Sequence, residues 1–248
     1  GLGQPRNNWA DCEDSGRVAR AGGAVDFWNR YRDDFALTRS LGLNSFRLSI
    51  EWTRVQPSTS KGATYAPAFD FDAIDAYATR IAACREEGLE PVVTLQHFTH
   101  PAWLGVNAWL QDSTVAAFET FVKTTVTRVN DQLVDIHGQP PISWYVTINE
   151  PNMLVLNTYL NRLFPGGPEI GIAVAIQAYS RLLAAHVRAY NVIHDTYESR
   201  GWAMPRVSMN TFCSDVYWSE MMLLDLLCMK NNGTPPSECE GFFEARAA

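Results

Sequence analysis

The stretch Tyr145-Val146-Thr147-Ile148-Asn149-Glu150-Pro151-Asn152 sets a β-branched, strand-like run directly before an adjacent amide and carboxylate. Pro151 has no backbone N–H to give to a ladder, so it ends the strand. In an α/β barrel the chemistry collects at the C-terminal ends of the strands, where a polar pair reads as catalytic. Taken alone, the pair reads equally well as a polar strand cap. Other strand ends decide between the two.

One is Asn44 to Trp52, an alternating apolar segment that carries Arg47. A guanidinium inside a barrel is costly unless a carboxylate or water meets it, so Arg47 needs a partner. Another is Pro91 to Trp103, an apolar strand that ends in His97 and Phe98 before Pro101 turns the chain. A lone histidine at a strand end is usually structural. An arginine, a histidine and an Asn-Glu pair at three successive strand ends form a binding constellation, with Trp52, Phe98, Trp103 and Trp109 nearby: amides and carboxylates bind hydroxyls, and aromatic faces stack on sugar rings.

Helical periods fill the intervals. Phe118, Val122, Val126, Val129 and Leu133 recur in steps of three and four, with Asp112 or Ser113 as the expected N-cap. Ile74, Tyr77, Ile81 and Cys84 repeat the pattern before Gly88, and a longer stripe of Ile176, Tyr179, Leu183, Tyr190, Ile193 and Tyr197 leads to Gly201. His186 lies near that stripe and reads as a helix-packing residue. Strands alternating with helices imply parallel pairing through crossovers. Strands expected to start near Ser45, Pro91, Ile142 and Arg206 lie 46, 51 and 64 residues apart, so eight such units need a chain nearly twice 248 residues long. The expected fold is therefore α/β, an incomplete (β/α)8 barrel of about the first five units, with residues 1–248 as one partial domain.

The motifs resemble those of the family 1 glycoside hydrolases, which include β-glucosidases and β-galactosidases. The resemblance rests on Arg47-Leu48-Ser49 with Trp52 and Arg54, on Thr94-Leu95 with His97, Phe98 and Pro101, and on Thr147-Ile148-Asn149-Glu150-Pro151 with Asn152. It runs in order from about Asp26 to about Asn210, with Tyr159 and Phe164-Pro165-Gly166 in the loop after the acid. It implies a retaining β-glycosidase with Glu150 as the acid/base. It further implies that Asn149 holds the sugar 2-hydroxyl, His97 holds the 3-hydroxyl, and Arg47 sits against the nucleophile; Phe98 and Trp109 join them as substrate contacts. Residues 1–9 look like the tail of a first strand, and Gln4 is the only match to a sugar-binding glutamine that the family carries in a Gln-x-Glu-Gly pattern not reproduced here.

The family's nucleophile is a glutamate in an Ile/Val-Thr-Glu-Asn-Gly run, and these 248 residues contain no such run. A retaining mechanism needs two carboxyl groups about 5–5.5 Å apart, one protonated and one ionised. Glu51, beside Ile50 at a strand end, is the nearest substitute, and Asp215 is a further suspect. Two readings stay open. In one, the residues are the N-terminal portion of a β-glucosidase-like enzyme, weakly active or inactive alone, whose open sheet edges self-associate or pair with a missing C-terminal half. In the other, they form a non-catalytic carbohydrate-binding or scaffolding pseudoenzyme.

Composition narrows the other classes. A net charge of −7 without a basic cluster argues against nucleic acid and anionic membranes and suits a neutral β-glycoside or oligosaccharide. Cys12, Cys84, Cys213, Cys228 and Cys239 show no Cys-x-x-Cys spacing, and His97 with His100 sits on a Pro-broken turn, so no metal site or cofactor is expected. An odd cysteine count and a Cys84 on an apolar helix face favour reduced thiols and a cytoplasmic setting. No initiator Met, signal peptide or membrane-spanning run is visible. The Asn232-Gly233-Thr234 sequon is read as a chance match.

Overall fold

A computed structural model describes residues 5–58, 66–212, 225–229, 231 and 233–247. Four strands form one sheet: β1 (Ser45–Ser49), β2 (Glu90–Gln96), β3 (Trp144–Asn149) and β4 (Arg206–Asn210). All neighbours are parallel and the spatial order is β1-β2-β3-β4. Each strand pairs with the next in sequence and the order never reverses. That is the arrangement of a barrel wall; an open doubly wound sheet has a switch point. Gln4, Asp215 and Asn232 lie outside the described residues, as do the residues of the expected first strand before Pro5.

Helices fill the crossovers. After a short α1 (Ala10–Asp14) come α2 (Phe27–Ser40), α3 (Trp52–Val55), α4 (Phe71–Glu86), α5 (Asp112–Asp135), α6 (Pro151–Val155) and α7 (Ile172–Arg200). Asp70 caps α4 by accepting from the Ala73 amide at 2.9 Å. Gly88, at φ +74°, supplies the left-handed turn that leads from this helix into β2. The buried face of α5 holds Phe118, Val122, Val126, Val129 and Leu133, as the periodicity predicts. Its start differs: the cap position is Gln111, and Asp112 and Ser113 lie in the first turn, where the Asp112 carboxylate meets the positive end of the helix dipole.

The expected stripe of α7 needs correction. Ile176 is 64% exposed and Tyr190 41%, while the buried face runs through Ala175, Ala178, Leu182, Ala185, Ala189 and Ile193. Alanines let α7 approach its neighbours closely, and packing follows that close approach rather than the size of the apolar side chain. The core lies between sheet and helices: Leu48, Val93, Leu95 and Tyr145 share one cluster with α4, α5 and α7. A buried polar knot fastens it. Asn130 of α5 donates to Val126 O (2.9 Å), Tyr145 Oη (2.9 Å) and Tyr197 Oη (3.0 Å), and accepts from the Ile142 amide at 2.8 Å. Period-two alternation turns Arg47, Val92, Thr94, Val146 and Ser208 to the opposite, concave face of the sheet.

Candidate active site

The concave face supplies the partners that Arg47 needs. Its Nε donates to Thr94 Oγ1 at 2.8 Å, and its Nη2 donates to Asn149 Oδ1 at 2.6 Å and Asn210 Oδ1 at 3.2 Å. One guanidinium therefore links all four strands. Neutral oxygens meet the charge, and no carboxylate among the described residues pairs with it directly. Partial burial pulls the guanidinium pKa down, and the charge of Glu150 opposes that pull. The Oδ1 of Asn149 is committed to Arg47, while its buried Nδ2 has no protein partner, which leaves a donor for a ligand oxygen. Asn210 carries no signature as a site residue in the sequence, and Thr94 stands there only as part of the motif at the end of β2. The one available signal is placement: Thr94 precedes His97 by three, and Asn210 ends β4 as Asn149 ends β3.

Glu150 leaves β3 in the left-handed region, at φ 42° and ψ 61°. Its amide donates to Asn210 O at 2.9 Å and its carbonyl accepts from Leu154 N at 2.9 Å, so both neighbouring elements hold this conformation. Pro151 then opens α6 at a position where no amide is required. The half-buried carboxylate makes no hydrogen bond or ion pair among the described residues. Asn152 closes the strand end by donating to Phe212 O at 2.8 Å and accepting from Phe212 N at 3.3 Å.

At the end of β2, His97 Nδ1 lies 3.0 Å from Ser49 Oγ. Partial burial first, and then the charge of Arg47, hold its pKa below the ordinary histidine value. Phe98 follows at φ 69°, a conformation that few bulky residues adopt, with its ring 5.3 Å from His97 and 5.1 Å from Phe164. The two non-glycine residues in left-handed conformation at the ends of β2 and β3 are thus Phe98 and Glu150. Such backbone strain concentrates where function depends on it.

The tryptophans do not take the expected role. Trp109 is 1% exposed and packs on Phe118, and Trp52 (1%) and Trp103 (8%) join the same core. Their rings are large apolar surfaces that the core absorbs, so Trp109 has no open face for a sugar, and Phe98 is the accessible aromatic of the four. His186 is buried, as its place on α7 predicts, with Nδ1 2.7 Å from Thr147 Oγ1 and a pKa lowered to about 4 by burial. Glu51 is not a free carboxylate. One oxygen accepts from Thr99 Oγ1 at 2.6 Å and the other from Thr53 N at 3.1 Å.

Among the described residues no group of three or more His, Cys, Asp or Glu side chains is placed to hold a metal ion, and no helix is long and apolar enough to cross a membrane. Cys84 is buried, and burial pushes its thiol up to about 12, which makes it unreactive.

Comparison with known proteins agrees with this geometry. The model of glycosyl hydrolase family 1 matches residues 10–212. A chloroplastic beta-glucosidase-like protein of Oryza sativa subsp. japonica is 31% identical over 178 residues, which make up 68% of this chain and 26% of that protein. A 6-phospho-beta-galactosidase of Lacticaseibacillus rhamnosus is 30% identical over 201 residues, 80% of this chain and 38% of that enzyme. Among solved structures, the beta-glycosidase from Pyrococcus horikoshii superposes with a TM-score of 0.70 at 27% identity, over 91% of this chain and 51% of that one. The chain thus spans from about a quarter to about half the length of these proteins, with the sheet, the helices and the three strand-end motifs in the matched part. It belongs to glycosyl hydrolase family 1 as part of that family's (β/α) barrel.

Proposed function

We propose that this chain carries the acid/base half of a retaining β-glycosidase site acting on terminal β-D-glycosidic bonds, with a β-glucoside as the preferred class. Glu150 donates a proton to the leaving oxygen and later takes one from water. Asn149 presents its free Nδ2 to the sugar's 2-hydroxyl, His97 meets the 3-hydroxyl, and Phe98 lies against the ring. Arg47 faces the position of the ionised carboxylate that attacks the anomeric carbon. That second carboxylate comes from barrel units that these 248 residues do not include, since Glu51 is spent on Thr99 and Thr53.

The observation that carries the reading is the Asn149–Glu150 strand end itself. Arg47 takes the Oδ1 of Asn149, and the adjacent backbone is held in a strained turn that leaves the Glu150 carboxylate unpaired beside a cationic centre. Retaining chemistry needs a nearby negative partner to keep the acid protonated. The isolated chain is therefore expected to bind a β-glucoside weakly and to turn it over slowly or not at all.

The test pairs calorimetric titration of a β-glucoside with nitrophenol release from aryl β-glycosides, using chain 1–248 and its Glu150→Gln and Asn149→Ala variants. Binding lost in Asn149→Ala supports the site. Turnover that survives Glu150→Gln removes Glu150 as the acid, and a folded chain that shows neither binding nor turnover removes the reading for these residues.

A further inference from the structure

The segment after β2 is clamped from two sides. On one side, Glu51 at the end of β1 accepts from the Thr99 hydroxyl at 2.6 Å while its other oxygen caps α3 at the Thr53 amide; the Glu51 amide in turn donates to Tyr77 Oη at 3.0 Å. On the other side, Asn8 donates its backbone N–H to His100 O at 3.0 Å, accepts from His100 N on its own Oδ1 at 2.9 Å, and reaches Phe98 O with Nδ2 at 3.4 Å. Asn7 bridges Pro101 directly behind it. His97, bonded to Ser49, and Phe98, in its left-handed conformation, immediately precede the gripped residues Thr99 and His100.

We infer that Glu51, through Thr99, is a positioning residue that sets the orientation of the His97 ring and the strained Phe98 turn, with Asn8 as the opposing jaw. A turn that holds a bulky residue at φ 69° needs contacts to over-determine it, or it relaxes toward the extended region. The charge-assisted bond from Thr99 is the strongest of those contacts, being short and made to a carboxylate. It also accounts for a two-headed side chain at position 51: a residue that must cap α3 and grip Thr99 at once needs two acceptor oxygens, or an oxygen and an amide. The inference rests on the proposed sugar site only for its use, because every contact of the clamp is made within the protein.

The experiment separates the two. Imidazole nitrogen spectra of the ligand-free chain are recorded for the wild type and for Thr99→Val, Thr99→Ser, Glu51→Ala and Glu51→Gln, with His97→Gln assigning the signal. In the wild type the Nδ1 signal carries the shift of a nitrogen hydrogen-bonded to Ser49, whichever of the two is the donor. Thr99→Val removes one oxygen outside any helix cap, and the His97 signals move toward the averaged tautomers of a free neutral ring; Glu51→Ala does the same. Thr99→Ser keeps the hydroxyl and the wild-type signals. Glu51→Gln restores them too, because its carbonyl keeps the Thr53 cap while its amide donates to Thr99. Where the chain binds a β-glucoside, Thr99→Val weakens that binding about tenfold. Wild-type His97 signals in Thr99→Val, or failure of Glu51→Gln to restore them, overturn the inference. Absence of sugar binding alone leaves the spectra decisive and counts only against the proposed function.

Discussion

Arg47 and Asn149, 102 residues apart in sequence, meet at 2.6 Å on the concave face of the sheet. The contact spends the acceptor of Asn149 on a cation and leaves its buried Nδ2 donor without a protein partner. Arg47→Met should release Asn149 to either amide orientation and leave Thr94 and Asn210 without their shared donor. The expected cost is about 1–2 kcal/mol of unfolding free energy, since the site is partly open to water, measured by denaturant titration. A change below a few tenths of a kcal/mol would show that water replaces the guanidinium without loss.

The buried histidines make stability depend on acid. His100 and His186 have pKa values lowered to about 4 by burial, against 6.5 in the unfolded chain. The unfolded state therefore binds more protons between those values, so stability is full above pH 6.5 and falls as the pH drops toward 4. Each residue contributes about 3 kcal/mol to that loss. Thermal midpoints measured from pH 7 to pH 4 should fall across this window, and His186→Gln should flatten part of the slope. A flat profile would contradict the burial of both rings.

Asn130 of α5 reaches β3 through Tyr145 and α7 through Tyr197, and it also holds Val126 O of its own helix and the Ile142 amide ahead of β3. Asn130→Ala leaves the Ile142 amide buried without its acceptor and removes a partner from two tyrosine hydroxyls. We expect a loss of about 2–4 kcal/mol in unfolding free energy.

On α7, Ala178→Leu should cost about 1–3 kcal/mol by overpacking a contact made for a small side chain, whereas Ile176→Gln should stay within about 0.5 kcal/mol of the wild type. The opposite ranking follows if the larger apolar residues form the buried stripe, so the pair of measurements checks the register of this helix.

Much of this is legible in the residues. Strand positions and the Asn149–Glu150 end follow from alternation and Pro151, which are local properties, and the parallel order follows from the regular succession of strands and helices. The register of α7 is not local. Ile176 and Tyr190 satisfy a helical period as well as Ala178 and Ala189 do, and only the closeness of the neighbouring elements selects the alanines. For the same reason Trp109 reads as a sugar platform from composition and proves to be core. Two partners of Arg47 escape as such, because Thr94 and Asn210 acquire that role only when parallel registers bring them together. Glu51 reads as a spare carboxylate until Thr99 and Thr53 are seen to occupy both its oxygens.

The unbroken β1-β2-β3-β4 order also bears on how the chain is made. Each strand finds its neighbour in the segment synthesised just before it, so the wall can be laid down in step with translation, and no strand has to wait for a distant partner. The cost is an exposed growing front at every stage. Among the described residues that front is β4, and whatever covers it decides whether the nascent wall closes on itself or captures a neighbour.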